Sequence, residues 1–232
     1  MKSKIDYHER LTKIEKILKE SQKETAPYHV IVLDKRFVVY PNVFSPKYFN
    51  DTAIYAKNLP VRKGEKFLEI GSGTGVISII AAYKGADKVV AIDINPDAVS
   101  NTKKNIELHN MADRVEVRYG NLYNPLKSHE MFDSIFWNVP FGYVDKCKYD
   151  LSILDIAVLD PLYNNIRQFI MESKAYLKLQ GKLLIGFSPT LGKIDLLEKF
   201  SKEAEMSLTL IFQQMPRETF PIKYGIFQLK PV

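Results

Sequence analysis

The stretch from Phe67 to Gly75 constrains the fold of this chain most strongly. A short apolar run ends in three alternating glycines, Gly71, Gly73 and Gly75, and an apolar segment with helical character follows at 76–83. Glycines let a backbone turn sharply and approach a ligand with no side chain intervening. A strand, a glycine-rich turn and a helix in this order predict one unit of a mainly parallel sheet, with a ligand at the turn.

The sequence pattern from residue 66 onward supports the same fold. Short apolar runs alternate with helical patterns, which is typical of βαβ units. We predict strands at 67–70, 88–93, 115–119, 132–138, 182–187, 207–212 and 224–229. We predict helices at 76–83, 96–110, 161–179 (closed by Gly181) and 194–205. The last two strands are too close in sequence for a crossover helix, so the predicted fold is α/β, a seven-stranded mostly parallel doubly wound sheet with an antiparallel last strand.

An N-terminal appendage is predicted to precede this sheet. Apolar residues at helical spacing indicate an amphipathic helix over 5–25, and β-rich runs at 29–33 and 36–40 indicate a hairpin. We expect residues 1–45 to form this helix and hairpin and residues 46–232 to form the main domain. The helix lysines are interleaved with glutamates, so its charged face is either simply solvated or a nucleic-acid contact.

Composition excludes several classes of protein. With 46% hydrophobic and 26% charged residues among 232, the chain can bury a full core. The sequence has no apolar run of about 18 residues, the length needed to cross a bilayer, so we expect a cytoplasmic protein without a membrane partner. Cys147 is the single cysteine, and four scattered histidines provide no ligand set, so we expect no metal. The formal charge of +6 fits either an RNA partner or an ordinary basic enzyme.

The carboxylate of Glu69 narrows the choice of ligand at the glycine turn. It would repel a pyrophosphate, so a cationic or zwitterionic ligand fits better. This E-x-G-x-G-x-G arrangement resembles the first motif of the class I S-adenosylmethionine-dependent methyltransferases, which have a seven-stranded Rossmann-like fold. The resemblance implies S-adenosyl-L-methionine as cofactor. The residues that it implies at this turn are Glu69, Gly71, Ser72, Gly73, Thr74 and Gly75.

The same resemblance implies further cofactor contacts at the next two strands. Asp93 ends the second predicted strand, where an acid accepts hydrogen bonds from both ribose hydroxyls, and Ile94 would pack on the adenine. After the third strand, Asn121 stands where the family commonly has an aspartate, and Leu122 follows it. The amide oxygen of Asn121 can still accept a hydrogen bond from the adenine amino group.

The fourth predicted strand ends in Asn138-Val139-Pro140-Phe141. This tetrapeptide is similar to the N/D-P-P-Y/F motif of methyltransferases that modify a planar nitrogen, with Val139 replacing the first proline. The resemblance implies that the Asn138 side-chain oxygen and the Val139 carbonyl each accept one N–H of the target, which turns the nitrogen lone pair toward the methyl group. Asn138 also counts among the expected cofactor contacts, and Phe141 is expected to stack on the acceptor.

Two further segments carry open interpretations. The stretch from Tyr40 to Ser45 resembles the G-V-F-S segment of small-domain RNA guanine methyltransferases, and the hairpin and helix before it resemble the linker of glutamine methyltransferases that act on release factors. Phe44 is either a cover for the cofactor or a hydrophobic plug. The 213–220 connection is expected to overhang the substrate mouth, where Arg217 either grips a phosphate or is simply solvated.

Three functions remain open at this point. The leading hypothesis is an N-methyltransferase acting on a planar nitrogen, either a nucleobase amine of RNA or a glutamine side chain of a protein. A small-molecule methyltransferase is the alternative. A catalytically silent cofactor-binding protein is the third, and Asn138 argues against it because such a protein has no need of paired acceptors where the methyl group is presented.

Overall fold

The structure, a computed structural model, describes residues 7–145, 151–215 and 222–232. The N-terminal elements are α1 (Tyr7–Ser21), β1 (Tyr28–Val32), β2 (Lys35–Val39) and α2 (Asp51–Asn58). The elements after them are β3 (Lys66–Ile70), α3 (Val76–Tyr83), β4 (Lys88–Asp93), α4 (Pro96–Leu108), β5 (Val115–Tyr119), β6 (Phe132–Asn138), β7 (Gly142–Val144), β8 (Leu159–Pro161), α5 (Asn164–Glu172), β9 (Leu177–Phe187), α6 (Ile194–Glu203), β10 (Met206–Gln214) and β11 (Tyr224–Pro231).

Seven strands form the central sheet in the order β10-β11-β9-β6-β3-β4-β5. Strands β3, β4, β5, β6 and β9 are parallel, whereas β11 is antiparallel to both of its neighbours. The predicted fold, including the antiparallel last strand, is confirmed. Strand β3 lies between β4 and β6. From β3 the chain first adds β4 and β5 on one side and then returns to add β6 on the other side, so the direction of strand addition reverses at β3. The carboxyl ends of β3 and β6 therefore form a topological switch point, where open α/β sheets bind ligands.

Both faces of the sheet are covered by apolar clusters. Along β3 the side chains alternate, so that Phe67 belongs to one buried cluster and Leu68 and Ile70 belong to the other. The cluster around Phe67 includes residues of α2 and α3, and the opposite cluster includes residues of α5 and α6. Helices on both faces explain why the core strands are nearly continuous apolar runs.

The N-terminal hairpin is tied to α4. Leu33 and Asp34 have positive φ values of 50° and 60°, which suit the tight turn between β1 and β2. The Val38 carbonyl then accepts hydrogen bonds from the side-chain amides of Asn101 and Asn105, both at 2.8 Å. These two buried asparagines hold the hairpin against α4. The segment that follows the hairpin is thereby positioned near the switch point.

The predicted boundaries of the helix over 161–179 are wrong at both ends. The prediction that Gly181 ends this helix is also wrong. Helix α5 is shorter, and β9 already begins at Leu177, which pairs with Phe132 of β6. A Cβ on Gly181 would lie 2.8 Å from the Lys178 carbonyl oxygen and 3.0 Å from that of Phe132. Gly181 therefore permits a close backbone approach at an irregularity inside a strand and does not end a helix.

Strands β7 and β8 were not predicted. Each has three residues, too few for an alternation of apolar and polar residues to show in the sequence. The two strands pair in parallel, and the Gly142 N–H donates to the Val158 carbonyl at 2.8 Å. Cys147 and Arg217 lie outside the described residues. Within the described ranges, no helix has the length and apolar character to cross a membrane.

Candidate active site

A cavity of about 180 Å³ opens at the switch point, beside the carboxyl ends of β3, β4 and β6. Ten of the residues expected from the sequence line it: Glu69, Gly71, Ser72, Gly73, Thr74, Asp93, Ile94, Asn121, Asn138 and Pro140. The parallel strands bring these residues together because their carboxyl ends share one edge of the sheet. The structure thus gathers into one cavity residues that are up to about 70 positions apart in sequence.

The glycine turn contributes backbone to the cavity wall. Gly73 has a φ of +52°, and a Cβ there would meet only the Phe44 carbonyl oxygen at 3.9 Å, so space is open above it. Gly75 has a different role, although its φ of +77° is also positive. A Cβ at this position would come 2.9 Å from the Thr102 Cγ2 atom, and Gly75 does not line the cavity. Gly75 therefore permits close packing of α3 on α4.

Asp93 holds the glycine turn in place. Its Oδ2 accepts the Gly73 N–H at 2.7 Å, and its Oδ1 accepts the Asn95 N–H at 2.8 Å. Burial raises the pKa of the Asp93 carboxyl, while these two backbone donors oppose the rise. Each carboxylate oxygen retains a second acceptor position, so Asp93 can brace the turn and still accept hydrogen bonds from a ligand's hydroxyl groups.

Glu69 lies deeper in the cavity, where it is 2% exposed. Burial raises the pKa of the Glu69 carboxyl to about 8, and the neighbouring Asp93 adds to the rise, whereas hydrogen bonds from Ser78 oppose it. Without a cation nearby, Glu69 is therefore mostly protonated at neutral pH. A ligand ammonium group close to it would favour the ionised form.

The raised pKa of Glu69 predicts a pH-dependent loss of stability. The unfolded chain releases this proton near pH 4.5, whereas the folded protein keeps it to about pH 8. The folded state binds more protons across that window, so stability falls as pH rises through it. Glu69→Gln is expected to be more stable than the parent at pH 8.5, by on the order of a few kcal/mol, with the difference vanishing toward pH 4.5.

Urea unfolding of the two proteins at pH 5 and pH 8.5 measures this difference. The substitution Glu198→Gln, at an exposed position on α6, controls for the loss of one carboxylate. Equal free energies of unfolding for the Glu69 variant and the parent at pH 8.5 would contradict the prediction.

Asn138 presents an unpaired acceptor at this site. Its side-chain Nδ2 donates to Asp51 Oδ2 at 2.7 Å, and this hydrogen bond orients the amide. The opposite atom, Oδ1, is buried and has no hydrogen-bond partner among the described residues. A buried acceptor without a partner is costly unless a ligand satisfies it.

Four expected site residues lie outside the cavity wall: Gly75, Leu122, Val139 and Phe141. Phe141 is only 5% exposed and belongs to the apolar core, so its ring offers the cavity no face for stacking. The backbone here is firmly held, because the Val139 N–H donates to the Gly186 carbonyl at 3.2 Å and the Tyr163 hydroxyl donates to the Phe141 carbonyl at 2.5 Å. The first of these bonds is one that a proline at 139 could not make.

Sequence reasoning missed several residues of the wall. The indole of Trp137 lies against the glycine turn, so that a Cβ on Gly71 would meet its Nε1 at 2.9 Å. Phe44, for which two interpretations were open, lines the cavity and stacks on Phe49 with 4.3 Å between ring centroids. The far wall comes from a segment with no motif: Ile153, Leu154, Ile156 and Ala157.

Comparison with known families identifies the class of protein to which this site belongs. The model of the methyltransferase small domain matches residues 34–209. The chain belongs to the methyltransferase small domain family. The expected activity class, an S-adenosylmethionine-dependent methyltransferase, is thereby confirmed.

Curated relatives of this methyltransferase include enzymes named for glutamine modification. MJ0928 of Methanocaldococcus jannaschii, named for protein N5-glutamine methyltransferase activity, is 31% identical over 191 residues, which cover 76% of this chain and 90% of the relative. The release factor glutamine methyltransferase of Aquifex aeolicus is 46% identical over 74 residues, which cover 33% of this chain and 25% of the relative. The match spans nearly all of the first relative but only a quarter of the second.

A solved structure supports the fold of the methyltransferase. The 16S rRNA N2 G1207 methyltransferase of T. thermophilus, in complex with AdoMet and guanosine, superimposes with a TM-score of 0.62 at 19% identity. The superposition covers 89% of this chain and 50% of the other. At this identity the similarity concerns the shared Rossmann-like architecture.

The cavity residues fit S-adenosylmethionine. The open backbone at Gly73 leaves room for the methionine portion, Asp93 has acceptor positions for hydroxyl groups, and the Glu69 carboxyl in the cavity wall can pair with an ammonium group. In the part of the chain that the structure describes, no group of three or more His, Cys, Asp or Glu side chains could hold a metal ion.

Proposed function

We propose that this methyltransferase transfers the methyl group of S-adenosylmethionine to the side-chain amide nitrogen of a glutamine in a protein substrate. One observation carries the proposal, namely the Asn138 Oδ1 atom, which is a buried acceptor with no partner among the described residues, at the edge of the cavity beside the glycine turn. An amide N–H is the group that such an acceptor needs.

A primary amide offers two N–H groups in one plane. Asn138 Oδ1 accepts one of them, and the proposal assigns the other to the backbone carbonyl of Val139, the next residue, which has to turn toward the cavity because Val139 is not part of its wall. Two in-plane acceptors hold the amide so that its nitrogen lone pair points out of the plane, toward the methyl group. The same acceptors stabilise the positive charge that develops on this nitrogen.

The cofactor residues have separate tasks. The glycine turn and Glu69 receive the methionine portion, Asp93 accepts from the ribose hydroxyls, and Ile94 and Asn121 contact the adenine. When bound, S-adenosylmethionine supplies an electrophilic methyl carbon, whose bonding pair stays on sulfur as the acceptor nitrogen forms the N–C bond and releases one proton. The chain's own contribution is alignment and exclusion of water.

The chemistry of the cavity favours a glutamine over a nucleotide. No lysine or arginine is among the cavity-lining residues that the structure describes, and the ionisable ones are the acids Glu69 and Asp93. A phosphate of RNA would find no cationic partner there, whereas a neutral side chain can enter along the apolar wall around Ile153 and Ile156. The names of the M. jannaschii and A. aeolicus relatives support the same acceptor.

Transfer of a labelled methyl group tests the proposal. The purified chain is incubated with methyl-tritiated cofactor and with protein and RNA fractions of a cell extract, each treated separately. Label is expected in protein, and acid hydrolysis is expected to release it as methylamine, because the methylated glutamine amide is cleaved whereas methylated lysine and arginine survive. Mass spectrometry of the labelled protein then locates a single added methyl group on a glutamine.

Two results would overturn the proposed acceptor. Label that is confined to nucleosides after nuclease digestion would assign the activity to RNA. Label in protein that survives acid hydrolysis on lysine or arginine would assign it to a different nitrogen. Asn138→Ala serves as the negative control in both fractions.

A further inference from the structure

Asp51 is a buried carboxylate next to the reaction site. It begins α2, is 2% exposed and does not line the cavity itself. Its Oδ2 accepts the Asn138 side-chain N–H at 2.7 Å, and its Oδ1 accepts the Thr52 backbone N–H at 2.9 Å. None of the ion pairs among the described residues includes Asp51, so the groups that stabilise its charge there are neutral N–H donors.

A carboxylate in this position costs free energy. Removing an anion from water without a cation destabilises the fold, and burial accordingly raises the pKa of Asp51, against the effect of its two hydrogen bonds. Helix α2 could begin with an exposed acid or a hydroxyl residue at no such cost. The specific contact that distinguishes Asp51 from such a residue is the one to Asn138.

We propose that Asp51 is a positioning residue for methyl transfer, which keeps Asn138 Oδ1 turned toward the acceptor nitrogen and increases the negative charge on that oxygen. This inference rests on the proposed role of Asn138 in the proposed function. Without the carboxylate, the Asn138 amide can rotate by half a turn and present its NH₂ group to the N–H of the target. Two donors would then face each other, and the target amide would not be held.

The charge of Asp51 acts through the Asn138 amide. Hydrogen bonds in a chain polarise one another, so a carboxylate that accepts from Nδ2 makes Oδ1 a stronger acceptor. The effect is largest where water is excluded, as it is at a residue 2% exposed. As positive charge develops on the attacking nitrogen, the Asp51 anion, which is two hydrogen bonds away from it, stabilises that charge. In this proposal Asp51 acts as a carboxylate and takes up no proton, and the proton of the product leaves from the nitrogen to solvent.

A double-mutant cycle separates this role from a merely structural one. Asp51→Asn removes the charge but keeps an oxygen that can accept from Asn138. It is expected to lower kcat at least about tenfold, with cofactor affinity within about twofold of the parent. In the Asn138→Ala background the same substitution is expected to change kcat by less than about twofold, because Asp51 acts through Asn138.

Asp195→Asn is the matched control. Asp195 is an exposed acid in the first turn of α6, so its substitution tests the effect of removing a first-turn acid from a helix that contributes no residue to the cavity wall. It is expected to leave kcat and cofactor affinity unchanged. Thermal unfolding of every variant shows whether a loss of activity follows from a loss of folding.

The outcomes distinguish the two proposals. The role of Asp51 is overturned if folded Asp51→Asn has a kcat within about twofold of the parent. It is also overturned if the substitution lowers kcat equally in the parent and in Asn138→Ala. Either result leaves the glutamine acceptor intact. If the parent labels RNA or another protein nitrogen, the glutamine proposal fails, and the cycle is run on the acceptor that is labelled. A loss of cofactor affinity equal to the loss of kcat would also overturn the inference.

Discussion

Replacing Asn138 with alanine is expected to slow methyl transfer at least about a hundredfold while S-adenosylmethionine affinity stays within a few-fold of the parent. The substitution removes the Oδ1 acceptor that aligns the target nitrogen, and this acceptor has no other partner among the described residues. It also leaves the buried Asp51 carboxylate without its side-chain donor, so a modest loss of stability is expected as well.

Two measurements on Asn138→Ala separate alignment from binding. Single-turnover transfer gives the chemical rate, and isothermal titration gives the cofactor affinity. Asn124→Ala, an asparagine exposed on the loop after β5, is the matched control and is expected to behave as the parent. Comparable single-turnover rates for Asn138→Ala and the parent would refute the planar-nitrogen mechanism.

Replacing Asp93 with alanine is expected to weaken cofactor binding by about 1–3 kcal/mol, which corresponds to roughly 5- to 150-fold in affinity. Two effects combine in this prediction. The variant loses the acceptors proposed for the ribose hydroxyls, and it loses the bond that holds the Gly73 N–H at 2.7 Å, so the glycine turn is less well organised before the ligand arrives.

Asp93→Asn distinguishes these two effects. The amide keeps one acceptor oxygen and a similar shape, so its loss of affinity should lie between those of the parent and Asp93→Ala. Asp113→Ala controls for the loss of charge. Asp113 is an exposed aspartate just before β5, at the amino ends of the parallel strands, whereas the cavity lies at their carboxyl ends. Unchanged cofactor affinity in a folded Asp93→Ala protein would contradict the assignment.

The elements of the core are predictable from this sequence because local and tertiary requirements agree in them. Strands β4, β5 and β6 have the predicted boundaries; β4 and β6 are apolar runs buried on both faces, whereas the edge strand β5 is recognised by its β-branched and aromatic residues between turns. The region around Gly181 is different. There a strand begins where the local pattern still favours a helix, because pairing with Phe132 of β6 overrides local preference.

The candidate site is predictable where motifs follow strands and unpredictable where it depends on distant contacts. Glu69, Asp93 and Asn138 each follow from the position of a residue at a strand end. Asp51 does not, because 87 residues separate it from Asn138 and nothing local in the sequence links the two. Phe141 shows the opposite difficulty, since an aromatic residue beside a motif is equally compatible with a cavity wall and with the core in which it lies.

The placement of Trp137 has a consequence for optical measurements. It is the single tryptophan of the chain, it is 9% exposed, and its ring lies between the glycine turn and Phe169, with 5.1 Å between the centroids of the two rings. The intrinsic tryptophan emission of the protein therefore originates entirely at the wall of the cavity. Spectral shifts and quenching of this emission report occupancy of the site directly, without a dye, a label or turnover.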